Sequence, residues 1–167
     1  MTPDDVLVFM DQYGLIFLFG IVLLEYLNMP GFPAGVIFPA TGVWLSTAEV
    51  SFWLALLVSV IAALAGSWLL YLIGRKGGPP LIEKIRKKHP ATAGKIDEYN
   101  RKLRDHARPT IFFSKLLPVI RTLIGLPAGA ARVNLFDYLF FSALGITIWN
   151  GGLMLLGVFF GDLVFSR

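Results

Sequence analysis

From Ser51 to Ile73 the chain runs for 23 residues without a charged side chain. A bilayer's hydrocarbon core takes roughly 20 helical residues to cross. The stretch therefore predicts a transmembrane helix, and the rest of the fold has to be arranged around it. A second stretch, 135–165, is interrupted only by Asp137 near its start and Asp162 near its end, and predicts another span. Composition agrees. The 167 residues are 56% hydrophobic and 16% charged, whereas an average soluble domain carries roughly a quarter charged residues. A soluble sphere of this size would leave large apolar patches in water. A soluble enzyme or a nucleic-acid-binding domain is disfavoured on that ground, although the pI is about 9.5. Without cysteine there is no disulfide framework and no thiolate metal site. No cofactor is expected.

The charges are unevenly placed. Before Arg75 the only charged residues are Asp4, Asp5, Asp11, Glu25 and Glu49. From Arg75 to Arg108 there are eleven Lys and Arg against four acids, so this segment carries +7 and the remainder −3. Positive loops stay in the cytoplasm, which predicts 75–108 inside, the first long helix running inward and the second outward. The run also suits anionic headgroups, and nucleic acid is not expected as a partner. With no basic region at its N-terminus, the chain is not expected to begin with a cleavable signal peptide. Trp44 and Trp53 fall where an outer aromatic belt would lie. Ile82, Ile85, Ile96, Tyr99 and Leu103 among the charges predict amphipathic helices on the inner surface, broken at His89-Pro90.

Two further apolar regions are broken by proline and glycine. Tyr13–Leu27 is apolar except for Glu25, and is followed by Asn28-Met29-Pro30-Gly31-Phe32-Pro33-Ala34-Gly35. Val36–Leu45 then resumes, with Pro39 and Gly42 inside it. Thr110–Val119 carries Lys115 and Pro118, ahead of Arg121, Gly125, Pro127 and Gly129. Proline removes a backbone donor and glycine weakens a helix. Lipid cannot satisfy the freed groups, so such segments persist only when buried in protein or lining a wet cavity. Both regions, 13–45 and 110–131, read as re-entrant hairpins. Each precedes a long helix, 51–73 and 135–165, and Phe32-Pro33-Ala34-Gly35 is echoed by Leu126-Pro127-Ala128-Gly129. The expected fold is an all-α integral membrane protein in one membrane domain, an inverted repeat of hairpin plus helix. Interrupted segments in corresponding halves point to a transporter's binding site. Gly157 with Gly161, and Ala62 with Gly66, have the spacing of close helix packing.

Glu25 is the only ionisable residue between Asp11 and Glu49, and a helix starting at Tyr13 places it about 18 Å deep at 1.5 Å per residue. An intramembrane acid is a functional candidate by default, here for taking and releasing a proton; the alternatives are an acid in a water-filled vestibule or one paired structurally with an arginine. Lys115, Arg121 and Arg132 are the only basic residues outside 75–108 and the terminal Arg167. Arg121, between Pro118 and Pro127, offers a guanidinium beside open backbone amides, which suits a phosphate. Lys115 is intermediate, and for Arg132 an interfacial snorkelling role is preferred. Candidate cavity-lining residues are Asn28, Pro30, Pro33, Ser67, Pro118, Pro127, Gly129, Arg132 and Asn150, with Thr147. Buried polar groups also serve as helix–helix glue. No metal site is expected. There is no GxxxxGK[ST], HExxH or GxSxG. Arg101 to Arg108-Pro109 approaches the first motif of lipid phosphatases, but the later motifs do not follow.

Leu24-Glu25, Pro30-Gly31-Phe32-Pro33, Ala40-Thr41-Gly42 and Tyr71-Leu72-Ile73-Gly74-Arg75-Lys76-Gly77-Gly78 resemble the DedA family, within the SNARE-associated, VTT-domain superfamily. So do Phe113-Ser114-Lys115-Leu116-Leu117-Pro118-Val119-Ile120-Arg121, Pro127-Ala128-Gly129, Trp149-Asn150 and Gly157. The resemblance implies two re-entrant hairpins and movement of lipids across the bilayer: undecaprenyl phosphate recycling, phosphatidylethanolamine transport or, in eukaryotic relatives, scrambling. Dependence on the proton-motive force is also associated with the family. By resemblance, Glu25 matches an essential membrane acid and Arg121 the second arginine of an Arg…Pro…Arg element. Lys115 stands where the first arginine is usual. Ala34-Gly35 stands where a second acid is common, and Gly66-Ser67 where Gly-Asp is usual. A final helix of many members is not expected here.

The resulting expectation is a flippase of a bacterial inner membrane, not an enzyme. It would move a phosphate-bearing lipid, held by Arg121 and Lys115, with Glu25 exchanging protons. A homo-oligomer remains open. The alternatives are a non-coupled scramblase, a membrane scaffold and a lipid-modifying enzyme.

Overall fold

The computed structural model describes residues 2–27, 34–88, 101, 103–118 and 120–165. The described residues are helical, without strands. Helix α1 spans Pro3–Tyr26, α2 Ala34–Thr47, α3 Phe52–Lys88, α4 Ala107–Lys115, α5 Ile120–Leu123, α6 Gly125–Ala130 and α7 Leu135–Phe165. Three of them contain segments long and apolar enough to cross a membrane: Asp4–Tyr26, Phe52–Gly78 and Leu135–Phe160.

Helix α1 begins at a reciprocal cap. Asp5 N donates to Thr2 Oγ1 at 3.3 Å and Thr2 N donates to Asp5 Oδ2 at 2.8 Å, with proline at the first helical position. This satisfies backbone donors that a helix start leaves open. The helix then kinks at Gly14, whose φ of 56° is a left-handed conformation that a side chain would oppose. The apolar stretch expected to start at Tyr13 is the later part of a longer helix, whose segment Asp4–Tyr26 is itself long and apolar enough to cross a membrane. Its partner α2 stays helical through Pro39 and Gly42, where interruptions were expected. Pro39 costs α2 one ladder bond without ending it.

A second difference concerns α3. Its expected stop at Gly74-Arg75-Lys76 is only a change of composition, because the helix continues through Gly77-Gly78 and two prolines to Lys88. Residues 89–100, with Ile96, Tyr99 and the expected break at His89-Pro90, lie outside the described residues, as do the side chains of Ile82 and Ile85. Leu103 is buried.

The chain divides into two compact units, 1–66 with 146–167, and 67–145, so α3 and α7 each contribute to both. In the first unit α1 and α2 pack on each other. Val22, Tyr26, Ile37, Phe38, Trp44, Ala55, Ala62, Ile146 and Met154 make its core. Glycines bring the backbones together. A Cβ on Gly42 would collide with the carbonyl of Met154, one on Gly157 with that of Pro39, and one on Gly66 would lie 2.7 Å from Tyr26 Cβ. Lipid gives helices no hydrophobic drive to associate, so close approach of this kind is what holds them.

The second unit has its own core of Tyr71, Leu103, Ile111, Ile124, Ala128, Val133 and Tyr138. Here α3 and α6 meet glycine to backbone: Gly74 against Leu126, Gly78 against Ala130, and Gly129 against the Tyr71 carbonyl. The four-residue spacings Gly74–Gly78 and Gly125–Gly129 set up this contact. Helix α6 closes with Arg132 at φ 57°, Val133 N bonding Ala128 O at 3.1 Å and Arg132 N bonding Gly129 O at 3.0 Å. That is a Schellman motif with arginine in the place usually held by glycine.

Candidate functional site

The broken region 107–131 builds a polar centre inside the second unit. Along α4 the buried positions are Ala107, Ile111, Ser114 and Lys115, one face at helical spacing. That face carries the lysine inward at the last residue of the helix. The chain turns through Leu116–Pro118 and resumes as α5, whose single turn buries Arg121 and Thr122. Helix α6 follows immediately. Pro127 occupies its first turn, where a missing N–H costs nothing within the helix.

Lys115 is 0% exposed and Arg121 2%. Lys115 Nζ donates to Ser67 Oγ at 2.9 Å and to the backbone carbonyl of Arg121 at 2.8 Å. It also lies 5.6 Å from the ring centroid of Tyr138, a cation–π distance. A carbonyl at the seam between two short helices is thus met by a side-chain donor, the satisfaction that interrupted backbone requires away from water. Tyr138 in turn donates from its hydroxyl to the Ser67 carbonyl at 3.2 Å and stacks on Tyr71, with centroids 5.0 Å apart. Tyr71 donates to the Val133 carbonyl and accepts from Arg75 Nη1 at 2.9 Å. Gly145 lets α7 approach: a Cβ there would lie 2.6 Å from Lys115 Cβ.

Three sequence-singled residues are therefore brought together, namely Lys115, Arg121 and Ser67. Gly129 is buried against α3, Pro127 is half-buried, and Pro118 is exposed on the connecting turn. Arg132 is exposed at the end of α6. In the first unit Glu25 is buried near the end of α1, 8% exposed. Asn150, fully buried on α7, donates from Nδ2 to Ser59 Oγ at 3.3 Å, and Ser59 donates to the Leu56 carbonyl at 2.8 Å. Thr147 is exposed. Asn28, Pro30 and Pro33 lie outside the described residues.

Tyr138 was not read from the sequence as part of this centre. Its signal was present, because a tyrosine within an apolar span needs a partner for its hydroxyl, but nothing local identifies that partner as a carbonyl on α3. Among the described residues no cluster of three or more His, Cys, Asp or Glu is placed to hold a metal ion.

Residues 32–159 match the VTT domain. The chain is 30% identical over 161 residues to an alkaline phosphatase-like protein of Lactococcus lactis, covering 92% of this chain and 73% of that one. It is 28% identical over 153 residues to undecaprenyl phosphate transporter A of Staphylococcus aureus, covering 89% of this chain and 75% of the relative. The protein of that name from Bacillus subtilis is 26% identical over 130 residues, 78% of this chain and 66% of its own. No solved structure matches the chain. With three helices of membrane-spanning length and a match covering most of its residues, the chain is a multi-pass membrane protein of the VTT-domain (DedA) family.

Proposed function

We propose that this protein is a transmembrane lipid transporter that carries a phosphate-bearing lipid, such as undecaprenyl phosphate or a phospholipid, across a bacterial inner membrane. The observation that carries the reading is the burial of two cationic residues, Lys115 and Arg121, in one unit of a membrane protein, with the lysine bonded to the arginine's backbone carbonyl. Ionisable groups at such positions are costly and mark substrate or ion pathways. A planar guanidinium matches a phosphate by charge and by paired donors, so Arg121 is the headgroup ligand. Lys115 adds positive potential and fixes the carbonyl of the same arginine. The printed names of the Staphylococcus and Bacillus relatives support a phosphate lipid as cargo.

In this reading 13–45 and 110–131 are re-entrant hairpins, residues 75–108 face the cytoplasm, and Asn150 and Ser67 contribute polar lining. Glu25 takes a proton on one side and releases it on the other, coupling the cycle to the proton-motive force. The protein moves lipid and leaves it chemically intact.

The test is movement of labelled lipid in proteoliposomes holding the full chain. Glu25→Gln and Arg121→Ala should each reduce the rate to near that of protein-free vesicles, and collapsing a pH gradient should slow the wild type. Wild-type rates from both variants would remove the mechanism. Lipid movement indifferent to the gradient would replace it with a scramblase, and release of phosphate with an enzyme.

A further inference from the structure

Outside the buried centre, α4 and α7 border an open surface groove of about 350 Å³ lined by Arg108, Pro109, Phe112, Phe113, Phe141 and Leu144. The volume falls in the range of ligand sites, roughly 300–1,000 Å³. The lining follows from helical periodicity. With Ala107, Ile111, Ser114 and Lys115 turned into the core, residues 108, 112 and 113 of α4 form the opposite side. Phe113 and Leu144 are exposed large apolar residues on a chain that belongs to the membrane, so hydrocarbon is their natural neighbour. The lining is apolar almost throughout, and Arg108 borders it through its aliphatic stem.

Arg108 is the last residue of the basic run. It meets Asp137 through Nε–Oδ1 at 3.2 Å, and its side chain is 66% exposed. A guanidinium has five donors, so a single Nε contact with the carboxylate leaves it capable of taking a phosphate as well. Phe112, Phe113, Phe141 and Leu144 supply the apolar surface beside it. Next to Leu144, Gly145 lies against the Lys115 stem and the Phe112 carbonyl. Arg108 and Lys115 are about 10 Å apart along α4 at 1.5 Å per residue.

We propose that this groove binds a phosphate-bearing membrane lipid, with Arg108 on the phosphate and Phe112, Phe113, Phe141 and Leu144 along the first part of its hydrocarbon chain. An exposed guanidinium at the border of an apolar groove suits a lipid, whose phosphate would meet the cation while its hydrocarbon chain lies in the groove. Only the groove's position, as a loading site on the way to Arg121, rests on the transporter reading; binding itself does not require transport.

Native mass spectrometry of the full chain offers the test, with phosphatidylglycerol, diacylglycerol and glycerol phosphate as separate probes. Phosphatidylglycerol should be retained in preference to diacylglycerol. Arg108→Gln should lower its retention about tenfold, the size of one lost charge-assisted contact. Leu144→Trp, which fills the groove at an exposed position, should lower it comparably. Asp137→Asn breaks the same ion pair but keeps the guanidinium, and should retain the lipid at least as well as the wild type. Unchanged retention in both Arg108→Gln and Leu144→Trp overturns the proposal. So does an Asp137→Asn loss equal to that of Arg108→Gln, or equal competition by glycerol phosphate. A protein that binds as expected yet moves no lipid leaves the groove standing and removes the transporter.

Discussion

The ammonium of Lys115 donates to the hydroxyl of Ser67 at 2.9 Å, joining the end of α4 to the middle of α3. In the sequence these were two unconnected departures from the family pattern, Lys where Arg is usual and Ser where Asp is usual. In the structure they are partners. A buried Arg–Asp contact and a buried Lys–Ser contact both supply a cationic donor with an acceptor, and the smaller pair retains one charge in place of two.

This pairing predicts energetic coupling. Ser67→Ala removes one of the acceptors of a buried ammonium and should cost about 1.5–3 kcal/mol, the usual contribution of a hydrogen bond to a charged group. Lys115→Met removes the charge itself and one donor to the Arg121 carbonyl. In a double-mutant cycle read by thermal unfolding in detergent, the two should be non-additive by about 0.5 kcal/mol or more. Additive effects would mean that the contact does not contribute.

The glycines divide sharply by position. Gly129 lies against the Tyr71 carbonyl and the Arg75 amide, so Gly129→Ala forces backbone apart and should lower both stability and yield. Gly77 has open space around it on the same stretch of α3. Gly77→Ala should be neutral or stabilising by up to about 1 kcal/mol, the helix-propensity difference. Unfolding midpoints of the two variants in one detergent decide the matter, and equal behaviour would contradict the close α3–α6 contact.

What the sequence made legible was whatever lipid enforces locally. A run such as Ser51–Ile73 has few alternatives to a spanning helix, and residues buried at high cost, such as Lys115, Arg121 and Glu25, stand out against an apolar background. Less legible were features set by partners distant in the chain. Pro39 and Gly42 looked like breaks, yet α2 continues through them with Gly42 against α7. Gly74 and Arg75 looked like a helix end, yet α3 extends to Lys88. The Gly74–Gly78 and Gly125–Gly129 spacings were visible and unused, because each gains meaning only when the two helices are known to meet. Glu25 lies near the end of α1, as the break after Leu27 suggested, but the helix begins at Pro3 and not at Tyr13, and its neighbours in the first unit were not legible.

Arg132 tests whether a basic residue near the site is a ligand or a feature of the helix end. It occupies the left-handed position after α6, which costs a non-glycine residue roughly 1–2 kcal/mol, and its side chain is exposed. Arg132→Gly should therefore raise the unfolding midpoint or leave it unchanged, while lipid movement in proteoliposomes stays near wild type. A transport loss as large as that of Arg121→Ala would make Arg132 part of the headgroup site.

Tyr138 combines two contacts that substitutions can separate. Its hydroxyl donates to the Ser67 carbonyl at 3.2 Å, and its ring lies beneath the Lys115 ammonium at 5.6 Å. Tyr138→Phe keeps the ring and loses only the hydrogen bond, which is worth about 0.5–1.5 kcal/mol. Tyr138→Leu also loses the ring's attraction for the cation, about 2 kcal/mol where water is excluded, together with its stacking on Tyr71. The unfolding midpoint should fall in the order wild type, Phe, Leu. Because the ammonium also holds the Arg121 carbonyl, the Leu variant should weaken lipid movement while the Phe variant largely preserves it. Equal effects of Phe and Leu on both readouts would assign the whole contribution to the hydroxyl and leave the ring without a role at the cation.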